Sequence, residues 1–200
     1  MRKAIIHLKK KDPTLARIIE AVGPYRMQYA PPTFANLVRS IVYQQLNGKA
    51  ASAIYQRLVD AAGGVITPES ILGLSPAKLR KIGLSRQKSA YIADLARQTH
   101  SGSVVFDTIH QLSDDQVIEH LTAVKGIGVW TAHMFLMFAL RRIDVLPTGD
   151  LGVRMAIRKA YALTELPTKA EIEDLARAWR PYCSVASWYL WRSLDTEIML

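Results

Sequence analysis

LTAVKGIGVWTAHMF, residues 121–135, sets two glycines one residue apart between two apolar stretches of helical spacing. Glycine reaches positive φ without steric cost and lets another backbone or a ligand come close. A helix running to Lys125 can therefore turn at Gly126 and restart at Val129. The expected result is a helical hairpin over 113–140, one helix at 113–124 and the next at 128–140, with Leu121, Val124 and Ile127 anchoring it in the core. The restart leaves unpaired N–H groups at a helix N-terminus. With no side chain on Gly126 or Gly128 an anion can reach them directly, and Lys125 stands beside it. The same residues would equally serve a tight αα-turn that binds nothing.

Helix punctuation recurs along the whole chain while period-2 alternation is almost absent, so the fold class is all-α. Helices are predicted over 12–22, with Asp12 as cap and Pro13 at the first position, and over 33–45, 48–62, 68–73, 75–82 and 85–99. Beyond the hairpin they are predicted over 149–161, 168–178 and 183–193, separated by breakers such as Gly23-Pro24, Pro31-Pro32, Gly63-Gly64, Pro147, Pro167 and Pro181. SVVF at 103–106 is the one candidate strand and is too short to build a sheet. No low-complexity segment or long linker interrupts the chain, so any subdivision is into two lobes of a single unit spanning 1–200.

Composition narrows the function classes. Half of the 200 residues are apolar, which suits a packed core, and 26 lysines and arginines against 17 acids give a net charge of +9. That excess favours a polyanionic partner such as nucleic acid, though a solvated basic surface also accounts for it. The single cysteine, Cys183, excludes an intrachain disulfide framework and a cysteine-ligated zinc or iron–sulfur centre. The five histidines show no metal-ligand spacing, so no metal is expected on side chains. No apolar run approaches the roughly 20 residues of a membrane span, and the lysine-flanked N-terminus has too short an apolar run for a signal peptide. A cytoplasmic or nuclear protein without a membrane partner is expected.

The hairpin followed by DVLPTGDLGVR (144–154) resembles the helix-hairpin-helix DNA glycosylases, specifically the 3-methyladenine DNA glycosylase II family. The resemblance extends upstream through FANLVRSIVYQQLNGKAASAIYQRL (34–58) and LRKIGLSRQKSAYIADLA (79–96), and downstream through WRPYCSVASWYLWRSL (179–194). It implies a two-lobed helical bundle, about 1–33 with 149–200 in one lobe and 34–148 in the other, with a cleft between them. It also implies excision of alkylated purines from double-stranded DNA in base excision repair, by a monomer working in the nucleoid or the nucleus. Longer members carry an N-terminal β-containing domain that this short form is expected to lack. A uracil or mismatch glycosylase would use the same scaffold. A non-catalytic DNA-binding module would keep the hairpin and the basic face but has no use for the acid and tryptophans described next.

Each task of such a reaction asks for a residue type. An enzyme acting on a base inside a duplex must extrude the nucleotide, hold the gap open and stabilise positive charge on the sugar as the base leaves. The family spacing makes Asp150 the carboxylate for the last task, where an anion lowers the barrier and can orient water. On local sequence alone Asp150 reads as the cap of the helix starting near Leu151. Its rival, Asp144, follows Arg141 and Arg142 and reads as their ion-pair partner. Where strand-cutting relatives carry a Schiff-base lysine, this chain has Trp130, which implies water as nucleophile and no lyase activity. Trp130 and Trp191 would form an aromatic base pocket with Met134, which stands where some relatives carry an aromatic; each also reads as ordinary core. Trp188, Tyr189, Tyr43 and Tyr161 are assigned to the core. Leu46, in a polar turn, matches the family's wedge into the base stack, and otherwise reads as a hydrophobic staple for the next helix. Gln45 and Asn47 would touch the minor groove or the opposite base. Lys49, Arg86 and Lys88 would meet phosphates along with Lys125, Gly126 and Gly128, or form a solvated face. No cofactor is implied beyond a structural monovalent cation that family hairpins can hold through backbone carbonyls.

Overall fold

The computed structural model describes residues 1–195, which contain twelve α-helices, one 3₁₀ turn at Ile109–Gln111 and no strand. Most helices begin where the sequence supplies a cap. Asp12, Thr33, Asn47, Thr67, Ser75, Ser85, Ser113, Asp150 and Thr168 each accept a backbone N–H from the first turn that follows. Each such bond satisfies a donor the helix itself cannot, worth about 1 kcal/mol. The chain divides into two compact units, one made of residues 1–29 and 141 onward, the other of Ala30–Leu140.

The first unit holds α1 (Arg2–Lys11), α2 (Pro13–Val22), α10 (Leu151–Ala160), α11 (Lys169–Ala176) and α12 (Cys183–Leu194). Helix α12 is its axis, packed against α1, α2 and α10, with Cys183–Leu190 buried throughout. Burial of each Leu- or Ile-sized side chain around it, such as Leu15, Ile18 and Ile157, contributes about 1.5–3 kcal/mol. The buried Asp12 ties three elements together: Oδ1 caps α2 by accepting from Leu15 N at 2.9 Å, and Oδ2 accepts from Trp179 Nε1 at 2.8 Å and from the Tyr161 hydroxyl. Burial, and then this carboxylate, push the Tyr161 phenol well above its usual range. Trp188 and Tyr189 are core residues as expected, and the Tyr189 hydroxyl donates to Gly23 O at 3.1 Å.

The second unit holds α3 (Phe34–Tyr43), α4 (Gly48–Ala61), α5 (Pro68–Leu72), α6 (Pro76–Lys81), α7 (Arg86–His100), α8 (Asp114–Thr122) and α9 (Val129–Phe138). Helix α7 is central and packs on α3, α5 and α6, with Ile92 and Leu95 fully buried. Helices α8 and α9 pair as the predicted hairpin, and Leu121, Val124 and Ile127 are buried at its turn.

Four points of the sequence reading need correction. Helix α1 was not predicted, because its exposed lysines mask the stripe formed by the buried Ala4 and Leu8. Residues 103–106 form no strand; Ser103 and Val104 fold back and donate to Gln98 O at the end of α7. The unit boundaries fall at 29/30 and 140/141 rather than 33/34 and 148/149. The reason is local bonding. Ala30 N donates to Phe138 O at 3.0 Å, while Asp144 accepts from Cys183 N at 3.1 Å and Arg180 Nη1 at 2.8 Å. Asp144 thus caps α12 and pairs with Arg180, rather than with Arg141 and Arg142. No described helix is long and apolar enough to cross a membrane.

Candidate functional site

The turn between α8 and α9 uses its two glycines differently. Gly126 has φ +81°, and a β-carbon there would lie 2.1–2.3 Å from the ring of Tyr91, which packs flat on the bare α-carbon. Conformation and packing both demand glycine. Gly128 is the N-cap of α9 with φ −95° and no side-chain cap, and a β-carbon there would meet nothing within 4 Å. Neither backbone strain nor packing within the second unit therefore explains Gly128. What its absent side chain does is leave the amides at the start of α9 open to approach, an anion-accepting arrangement. Gly128, Gly126 and Lys125 are exposed together at this end of the hairpin. The turn is braced from behind: the buried Asp94 on α7 accepts Lys125 N at 3.0 Å, and Gln44 Nε2 donates to Gly126 O at 3.2 Å.

Beside the turn lies a cavity of about 780 Å³, lined by Tyr43, Gln44, Gln45, Tyr91, Trp130 and Met134 among others. Trp130 is 49% exposed. It does not serve the core; the core face of α9 is Ala132, Phe135 and Leu136, and Trp130 and Met134 sit one turn apart on the cavity side. Tyr43, assigned to the core from sequence, lines the cavity instead, with the Arg39 guanidinium 4.5 Å from its ring centroid.

The loop joining α3 to α4 carries Gln45, Leu46 and Asn47. Gln45 adopts φ 55°, unusual for a residue with a side chain, and Leu46 is left 39% exposed. Asn47 caps α4, its Oδ1 accepting Ala50 N at 2.9 Å. Lys88 also departs from expectation. Its Nζ turns inward and donates to Val42 O at 2.7 Å and Gln44 O at 2.6 Å, closing the C-terminus of α3. Burial lowers its pKa. Lys88 organises the loop, and the exposed cations near it are Lys49 and Arg86.

In the first unit, Asp150 is 8% exposed at the N-cap of α10. Its Oδ1 accepts Val153 N at 2.8 Å and Trp191 Nε1 at 2.8 Å. The cap reading and a functional reading coincide, because the helix start and the indole together fix the carboxylate's orientation. Trp191, expected as a base-pocket wall, is partly buried and directs its N–H to that acid. No group of three or more His, Cys, Asp or Glu that could hold a metal occurs among the described residues.

Sequence reasoning missed Tyr91, Gln44, Asp94 and Gly152. Gln87, Lys88, Tyr91 and Asp94 recur at helical spacing on one face of α7, a pattern shared with any amphipathic helix, so nothing singled it out. Gln44 was legible only as half of a Gln-Gln pair in a turn.

Two helices joined by a glycine turn with an uncapped second N-terminus, beside a loop that presents an exposed leucine, define a helix-hairpin-helix protein. The chain belongs to the HhH-GPD superfamily of base excision DNA repair proteins, whose profile matches residues 38–181. It is 36% identical to DNA-3-methyladenine glycosylase 1 of Schizosaccharomyces pombe, over 96% of this chain and 87% of that one. The solved structure of S. pombe 3-methyladenine DNA glycosylase (Mag1) in complex with abasic DNA superposes with a TM-score of 0.85 at 35% identity, covering 99% of both chains. A DNA-3-methyladenine glycosidase from Bacillus halodurans gives 0.86 at 38% identity, covering 96% of this chain and 94% of that one.

Proposed function

We propose that the chain is a monofunctional DNA glycosylase that excises alkylated purines such as 3-methyladenine from duplex DNA in base excision repair. The observation that carries the catalytic assignment is the Asp150 carboxylate, buried at a helix start and held through one oxygen by Val153 N and Trp191 Nε1. Fixed in advance, it stabilises positive charge on the deoxyribose as the N-glycosidic bond breaks and the base departs with the bonding electrons. It also orients the water whose oxygen bonds to C1′ and accepts the proton that this water loses, releasing it afterwards to solvent. No lysine occupies the position of Trp130 to replace that water, so the expected product is an abasic strand with its backbone intact.

The other tasks fall to the second unit. The bare N-terminus of α9 with Lys125 takes a backbone phosphate, and Lys49 and Arg86 add charge along the strand. Leu46, exposed by the left-handed Gln45, enters the stack vacated by the extruded nucleotide. Trp130 offers its indole face to the base; cationic, electron-poor purines gain roughly 0.5–2 kcal/mol from such a face. A structural monovalent cation in the hairpin would be held by its backbone carbonyls. The protein acts as a monomer where duplex DNA is found, in the nucleoid or the nucleus.

Incubation with duplexes carrying 3-methyladenine, 7-methylguanine, uracil, a mismatch or no lesion tests this reading. Release of the alkylated purines is expected. Release of uracil or a mispaired base alone would overturn the substrate assignment, and release of nothing the enzymatic one.

A further inference from the structure

Helix α10 contains a glycine at its second position, Gly152, in a helix of ten residues, Leu151–Ala160. Alanine is the better helix former, so glycine there works against the helix and calls for a reason. Conformation is not the reason, because Gly152 is absent from the positive-φ glycines. Space is. A β-carbon on Gly152 would lie 3.0 Å from Trp191 Cδ1, 3.2 Å from Trp191 Nε1 and 3.1 Å from Asp150 Oδ1. These are the two ends of the Trp191–Asp150 hydrogen bond. Two of the three atoms belong to a ring carried on α12, whose residues Ser187, Trp188, Leu190 and Ser193 are buried, and a methyl group would displace that ring or the carboxylate by a few tenths of an ångström.

We infer that Gly152 and Trp191 are positioning residues for Asp150: the missing side chain at 152 admits the indole, and the indole N–H fixes the acid. The inference rests on the proposed role of Asp150 and deepens it. It assigns to Trp191 a task other than stacking against the base, and to Gly152 a role that the hairpin and its motif do not indicate. The indole and the Val153 amide reach the same oxygen from α12 and α10, and a methyl group at 152 would crowd that oxygen and the indole together. Displacements below an ångström at a reacting group are costly: about 10- to 100-fold in rate for 1 Å or less.

The test uses Gly152→Ala, Trp191→Phe and the double variant, each read by single-turnover excision, by affinity for an abasic-site duplex and by the indole ¹H–¹⁵N resonances. Phenylalanine keeps an aromatic face but has no N–H. Each single variant is expected to lose about 10- to 100-fold in excision rate, with duplex affinity within twofold of the parent. The double variant should lose less than the product of the two single losses, since the methyl group then has no indole N–H to displace and acts only through its contact with Asp150 Oδ1. The Trp191 indole signal, identified by its loss in Trp191→Phe, should shift in Gly152→Ala. Wild-type excision by either single variant, an unshifted indole resonance in Gly152→Ala, or losses that multiply in the double variant would each overturn the inference. Asp150→Asn separates the two levels. If it is inactive while Gly152→Ala is fully active, the catalytic reading stands and the positioning role falls. If Asp150→Asn is active, the catalytic reading falls, and the indole resonance alone decides whether Gly152 sets the Trp191 contact.

Discussion

Asp150 shows how one residue serves two levels of organisation. As N-cap it satisfies the Val153 amide, and the geometry that makes it a cap also holds its carboxylate still. Substituting the isosteric amide should separate these functions, because asparagine is as good a cap as aspartate. Asp150→Asn is therefore expected to melt within about 1 kcal/mol of the parent while single-turnover excision falls by about 10²-fold or more. A near wild-type rate would leave Asp150 as a cap only. Sequence was enough to place this residue as the cap of α10. It was not enough to find Gly152, whose importance lies in a contact with a side chain some forty positions away, nor to see that Trp191 is a donor to the acid.

The hairpin turn requires one glycine for folding, while the proposed function gives the other to an approaching phosphate, and substitution should tell them apart. Gly126→Ala forces a methyl group onto the Tyr91 ring and a side chain into a left-handed conformation, so a loss of about 1–3 kcal/mol is expected by chemical denaturation. Gly128→Asp places a charge where nothing in the second unit is displaced. It should leave stability nearly unchanged and weaken binding to damaged and undamaged duplexes alike, with a smaller salt dependence of affinity. Unchanged affinity would make the turn purely structural. The helices themselves were legible because their caps and breakers are local signals. The inward turn of Lys88 was not, since a lysine on an exposed helix face looks the same in sequence whether it meets solvent or the carbonyls of Val42 and Gln44. Asn47 is a different case: its capping bond to Ala50 spans only three residues, a local signal that the sequence reading did not take up.

Across the whole molecule, the chemistry expected at the sugar sets the product. With water as nucleophile, the strand stays continuous until alkali is added, and borohydride should trap no covalent protein–DNA complex. A trapped adduct mapped to a lysine would move the protein to the lyase class. The all-helical class followed from composition and punctuation, whereas the division at 29/30 and 140/141 depended on bonds that only the folded chain displays, such as Asp144 to Cys183 and Arg180.

Cys183, at the first turn of α12, is fully buried, and burial with the neighbouring Asp144 pushes its thiol well above the usual range. Thiolates, not thiols, react with electrophiles. The agents that alkylate purines are themselves electrophiles, so a repair enzyme for their products meets them at first hand. This chain keeps its one thiol protonated and out of reach, so the folded protein is expected to be spared at that sulfur by the poison whose damage it removes. Native protein treated with methylating agents or a thiol reagent should retain an unmodified Cys183 by mass spectrometry, and modification should appear only on unfolding.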